Sequence, residues 1–384
     1  MNTRDLLFAL LRFAIKGEAL DIGAIRESLK DKKPYTLFKV AKNHDMAHLM
    51  AYALEQNNIS LDTDEYKLFA KKKEQALLRY EMIQADIKEI CSCFNNEHID
   101  YILLKGAEVR QYYPQAWMRT SCDIDILVRE ECFDNAIEVL VGNLGYRVEG
   151  KKTFHDISLY SPFGMHLELH HNIKETVDKY DKLLIQVWDF SEKQESCCQY
   201  KMKNEFLFFH LIAHMAYHFV GGGCGLRSVL DIWILNQKLS VNEEQLNKLL
   251  KEGHLLTFYE SICELGELWF DCKKTDNDAV LEMEKYILLG GMYGTKKQTA
   301  VSKQVKKGGK FKYFWSRIFM PYKNLAILYP IIKKYKILTP FCQMARWFGV
   351  IFKIKKIKTE IGNVIEVTDE QTIKMEALLS YLNI

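Results

Sequence analysis

Two aspartates two residues apart, in Asp123-Ile-Asp-Ile-Leu-Val128, restrict this chain more than any other feature. Ile124, Ile126, Leu127 and Val128 give the stretch the apolar content of a buried strand. Side chains alternate between the faces of a strand, so the carboxylates of Asp123 and Asp125 leave the same face. So placed, they repel each other. A fold tolerates that chiefly where a cation lies between them or solvent separates them. Upstream, Tyr101-Ile-Leu-Leu-Lys-Gly106 reads as a second short buried strand ending in a tight glycine turn. Ala107 to Tyr112 reads as a turn or two of helix, closed by Pro114. Taken alone, Asp-x-Asp is weak evidence, since surface aspartates at a strand end look the same. A preceding strand and glycine turn strengthen it.

Hard oxygen donors suit Mg²⁺, which takes one or two protein carboxylates and completes its shell with water and phosphate oxygens. A strand, a glycine turn and a helix start also present backbone N–H groups to a triphosphate. The combination points to metal-assisted phosphoryl or nucleotidyl chemistry. A two-ion site needs a third carboxylate. Met165-His-Leu-Glu-Leu-His-His171 alternates as a strand does, with His166, Glu168 and His170 on one face and Leu167 and Leu169 on the other. Glu168 is the candidate, and its strand is expected beside the one carrying Asp123 and Asp125. Tyr146–Glu149 and Asp156–Tyr160 read as further strands, and Pro162-Phe-Gly164 turns the last of them back into a hairpin.

The series Leu-Leu-Lys-Gly, Tyr-Pro, Arg, Asp-Ile-Asp-Ile-Leu-Val and, downstream, Leu-Glu-Leu-His resembles the uncharacterised nucleotidyltransferase family of bacteria. That family is part of the polymerase-beta-type nucleotidyltransferase superfamily. The matching positions are Lys105-Gly106, Tyr113-Pro114, Arg119, Asp123, Asp125 and Glu168. The resemblance implies an α+β fold, a small mixed β-sheet core flanked by N-terminal and C-terminal helical regions. It implies transfer of a nucleoside monophosphate from an NTP such as ATP to an acceptor hydroxyl, with two Mg²⁺ ions or Mn²⁺ in their place. Asp123, Asp125 and Glu168 would hold the ions and form the catalytic set. Gly106 would let the backbone approach the phosphates. Lys105 or Arg119 would offset charge on the leaving pyrophosphate, or else pair with the acidic cluster. Two positions depart from the superfamily's usual pattern. Lys105-Gly106 stands where Gly-Ser is usual, and Glu168 stands where Asp is more frequent.

The acceptor, whether small molecule, protein or RNA, is not written in these motifs. Two other classes remain: a nucleotide-binding protein without turnover, and a protein led by its basic segment. From Lys303 to Lys358 there are 15 Lys or Arg and no Asp or Glu, while the rest of the chain has 38 basic against 50 acidic residues. Lysines alternate there with Phe311, Tyr313, Phe314, Trp315, Tyr322, Tyr329 and Tyr335. Such a segment suits RNA, an anionic membrane surface, or a solvated face whose aromatics pack on the catalytic unit.

Four regions are expected: helical 1–97, a nucleotidyltransferase core at 98–200, a helical bundle at 201–290, and the basic, aromatic-rich 291–384. At 384 residues and 48% apolar content the chain has ample material for a core. Ten cysteines without a Cys-x-x-Cys pair read as reduced cytoplasmic thiols. Met1-Asn-Thr-Arg-Asp has no signal-peptide pattern. The longest apolar run, Phe206 to Val220, is 15 residues, short of the roughly 20 that a spanning helix needs. Within it His210, His214 and His218 form one helical stripe, either a ligand- or phosphate-contacting face or histidines satisfied inside a bundle, the second preferred because His-x-x-x-His lacks a third defined ligand. Gly221-Gly-Gly-Cys-Gly225 reads as a helix–helix connection, since no Gly-Lys-Ser/Thr follows. Arg227 either meets a triphosphate or pairs with Asp231 four residues on.

Overall fold

Leucines at helical spacing start the chain. The computed structural model describes residues 1–30, 33–61, 63–292, 294–295, 298–299, 301, 305, 319–320, 322–351 and 369–384. Helix α1 (Thr3–Lys16) buries Leu6, Leu7, Leu10, Leu11 and Ala14. The Asn2 side chain accepts the Asp5 N–H at one end, and Gly17, at φ 71°, closes the other. Helices α2 (Ile22–Ser28), α3 (Lys33–Asn43), α4 (Ala47–Gln56) and α5 (Thr63–Asn96) complete the N-terminal layer. α5 serves two cores. Its Phe69 and Ala76 pack with the N-terminal helices. Its Ile83, Ile90 and Phe94 lie against a β-sheet.

That sheet has seven strands among the described residues: β1 (Tyr101–Leu103), β2 (Asp123–Val128), β3 (Arg147–Glu149), β4 (Asp156–Tyr160), β5 (His166–His170), β6 (Ser191–Lys193) and β7 (Gln199–Met202). Their order is β3-β4-β5-β2-β1-β7-β6. β4 and β5 form the expected hairpin, antiparallel from Asp156↔His170 to Tyr160↔His166, with Gly164 at φ 82° in its turn. β5 then runs parallel to β2, pairing Asp123 with His166 and Asp125 with Glu168. The third carboxylate therefore lies beside the aspartate pair, as its alternation required. β6 and β7 enlarge the sheet beyond the strands read from sequence. Ser191-Glu-Lys and Gln199-Tyr-Lys-Met are too short and too polar to show an apolar period.

Alternation divides the sheet's two faces. Ile124, Ile126, Val128, Leu167 and Leu169 pack beneath the sheet on α5 and on α7 (Phe133–Leu144) through Phe133, Ala136 and Leu140. Gly145, at φ 67°, ends α7. The opposite face carries the acidic residues, and it too is covered. Leu127 joins the larger core with Phe206, Phe208 and Ile212 of α9 (Asn204–Gly221). Helices flank both faces, as the expected flanking helical regions require, because α9 has apolar residues nearly all round and must bury them on more than one neighbour. α10 (Leu226–Lys238), α11 (Glu243–Glu252), α12 (Leu256–Phe270) and α13 (Asp278–Gly290) build the bundle around it.

Residues 322–351 form short helices about Leu325, Ala326, Ile332 and Cys342. The prolines at 330 and 340 fall at helix starts there. The stretches 306–318 and 352–368 of the basic segment, with Phe311, Tyr313, Phe314 and Trp315, lie outside the described residues. The closing helix Asp369–Leu382 buries Met375, Leu378 and Leu382 in the larger core. All ten cysteines are free thiols. No helix among the described residues is long and apolar enough to cross a membrane.

Candidate active site

The register of β2 and β5 gathers the acidic residues. Asp123, Asp125 and Glu168 line one cavity of about 390 Å³, roofed by α9 and the start of α10. Donor atoms of Asp125, Glu168 and His170 lie within 4.8 Å of one another, as do those of Asp123, His166 and Glu168. A third such group is His155, Asp156 and His170. Glu168 thus reaches both aspartates despite its extra methylene. Asp125 is 3% exposed. Its Oδ1 accepts from Lys105 Nζ at 2.7 Å and from His170 Nε2 at 3.0 Å. An ionised carboxylate only accepts, so His170 carries its proton on Nε2.

The electrostatics follow from burial and these contacts. Asp123 is raised above the usual carboxylate range, first by burial and then by the Asp125 charge. Asp125 goes the other way. Its burial opposes ionisation, but the Lys105 ammonium and the His170 hydrogen bond outweigh that and hold it well below the usual range. Glu168 is pushed up to about 8, by burial first and then by Asp125. Burial alone would lower Lys105, yet Asp125, Glu168 and Asp123 together raise it. The cluster holds more negative charge than the one ammonium neutralises. Its hard oxygens therefore fit a divalent cation.

The turn before the aspartates is not built as its glycine implied. Lys105, not Gly106, takes the left-handed conformation, at φ 45°. α6 (Lys105–Val109) starts there, two residues earlier than the sequence indicated, and a 3₁₀ turn continues it over Arg110–Tyr112. Gly106 serves close packing instead. A Cβ on it would lie 3.0 Å from Arg119 Nη1 and 3.1 Å from Ser121 Cβ.

Residues 30–271 match the family described as Uncharacterised nucleotidyltransferase. The chain belongs to that family. No curated protein matches it. The matched span holds every candidate site residue, so the arginines of this nucleotidyltransferase-family chain can be placed against them. Arg119 is buried and grips Asp231, Nε to Oδ1 at 3.0 Å and Nη2 to Oδ2 at 2.8 Å. Tyr113 donates its hydroxyl to the same carboxylate at 2.6 Å. Arg119 therefore pairs with α10, not with the acidic cluster. Asp231 being taken, Arg227 does not form the pair four residues apart. Its Nη1 donates to Asp45 Oδ2 and to the Thr120 carbonyl, both at 3.0 Å. Arg227, Arg119, Gly106 and Lys105 all border the cavity.

The histidine stripe of the family member forms the opposite wall. His210, His214 and His218 all line the cavity. They are not satisfied within the bundle as the sequence implied. Both ring nitrogens of His210 are buried without a partner. His214 Nδ1 lies 2.6 Å from Glu175 Oε1, a residue in the loop after β5 that no periodicity marked. Burial lowers all three histidines, His218 to about 4. Neutral imidazoles thus face the carboxylates. His155 and Asp156, at the start of β4, complete that side of the cavity. The stripe was visible in sequence. Its position above the acidic residues was not, since it depends on how α9 crosses the sheet.

Proposed function

We propose that this nucleotidyltransferase-family protein transfers a nucleoside monophosphate from an NTP, with Mg²⁺, to an acceptor hydroxyl. One observation carries the reading: three carboxylates from β2 and β5 converge in a cavity beside Lys105. Asp123, Asp125 and Glu168 would hold the divalent metal, which when bound screens phosphate charge and lowers the pKa of a bound hydroxyl. The chain's own residues do the rest. Lys105 directs a cation at the leaving pyrophosphate, where negative charge grows. Arg119 is a positioning residue. Locked to Asp231, it sets the wall against which Gly106 packs, and so the path of the Lys105 turn. His214, whose Nδ1–H donates to Glu175, would offer Nε2 as an acceptor for a substrate hydroxyl. In the reaction the acceptor oxygen bonds to Pα, the bond from Pα to the bridging oxygen breaks, the electron pair leaves on pyrophosphate, and the acceptor's proton passes to water.

On this reading residues 98–200 supply the catalytic set, 201–290 supply the acceptor-side wall, and 1–97 support both. The test is pyrophosphate release from each of the four NTPs with Mg²⁺, over a panel of sugar phosphates, small alcohols, peptides and RNA ends. Asp125→Asn is expected to lower the rate by about 10²–10³-fold while the fold is kept. A wild-type rate no higher than that of Asp125→Asn with every acceptor sinks the reading.

A further inference from the structure

The Lys105 ammonium sits against the acidic residues. Nζ is 2.7 Å from Asp125 Oδ1, and the chain adopts the left-handed conformation at Lys105 to place it there. A non-glycine residue in that conformation is strained. A flexible lysine that merely paired with a nearby carboxylate would not need such a backbone. The carboxylate it meets is already committed on that side. Oδ1 of Asp125 takes two donors, Lys105 Nζ and His170 Nε2, which uses both of its lone pairs. What remains for metal is Oδ2 of Asp125, the Asp123 carboxylate and Glu168, with His166 beside the last two. A two-ion centre sets its ions about 3.5–4 Å apart and clamps both reacting oxygens between them. Here a side-chain ammonium already sits against one oxygen of Asp125.

We propose that Lys105 replaces one of the two divalent ions, so that the centre takes a single ion and uses the ammonium as its second cation. This rests on the nucleotidyl-transfer reading above. It accounts for the positive φ of Lys105 and for the contact of its ammonium with Asp125. It also sets a difference in kind between the two cations, since the ammonium stays with the protein when pyrophosphate leaves.

The test counts ions directly. The full chain, with an α,β-methylene NTP analogue that cannot be cleaved there, is titrated with Mn²⁺. Bound ion is counted by loss of the free Mn²⁺ signal in electron paramagnetic resonance. Wild type is expected to bind about one Mn²⁺ per chain, and Lys105→Met, which keeps length but removes charge, about two. Lys105→Gln repeats the measurement should the methionine variant unfold. Two ions in wild type overturn the proposal, as does one ion in both wild type and variants. No bound ion in wild type also overturns it, but by removing the metal reading of the site as well. Two ions in wild type overturn the proposal whether or not either variant folds.

Discussion

Glu168 couples the charge of the cavity to pH. Burial and the Asp125 charge push its carboxyl up to about 8. In the unfolded chain it ionises at the ordinary glutamate value of about 4.3. Between those values the folded state holds a proton that the unfolded state has lost, so this group's contribution to stability is full below the lower value and falls as pH rises through the upper one. Calorimetric melting in chelator is therefore expected to show a lower Tm at pH 8.5 than at pH 5.5, with the drop smaller in Glu168→Gln. Arg119 makes a second prediction at this scale. Its pair with Asp231 is buried on both sides, at 7% side-chain exposure each. Arg119→Met leaves Asp231 charged and without its guanidinium, which costs about 3–5 kcal/mol in urea unfolding. A loss under 1 kcal/mol would mean that Tyr113 alone satisfies the aspartate.

At the scale of elements, the pairing of β2 with β5 decides the site. A slip of one residue would turn Glu168 toward the core and put Leu167 or Leu169 beside the aspartates. The apolar face prevents that slip, because Leu167 and Leu169 are fully buried against α5 and α7. Leu167→Ala is expected to cost about 2–5 kcal/mol of stability from denaturant curves. Pyrophosphate release per folded molecule should stay near wild type below the transition, since nothing on the cavity face changes. A collapse of activity without loss of stability would show that the register is held elsewhere. The glycine before the aspartates teaches the same lesson. Gly106 looked like a turn residue in sequence, yet its role is to admit the Arg119 and Ser121 side chains.

Across the whole molecule, the candidate active-site cavity lies where the sheet meets the bundle, so it is assembled from residues far apart in sequence. Asp125, Glu168 and His214 belong to β2, β5 and α9. A ligand that binds there links those layers. Mg²⁺ with an NTP at about a hundredfold excess over Kd is expected to add about 2.7 kcal/mol to folded stability, read as a rise in Tm. Chelator should abolish the rise, and Asp125→Asn should not show it. An equal rise in that variant would place the nucleotide or metal outside this cavity.

The strands, their faces and the three candidate carboxylates were legible in sequence because alternation is local. Each strand states which side chains share a face, and a buried apolar face leaves the acidic one no alternative. The strands β6 and β7, at one end of the sheet, were not legible, being too short and polar to carry a period. Partner choice was not legible either. Asp231 is equally available to Arg227 on its own helix and to Arg119, more than a hundred residues earlier. Only tertiary structure gave it to Arg119, because the 3₁₀ turn and α10 meet at Tyr113 and bury that carboxylate. The same reason governs the Lys105 conformation and the histidine wall. A sequence pattern specifies what each element presents, whereas the packing of one element on another decides which presented groups meet.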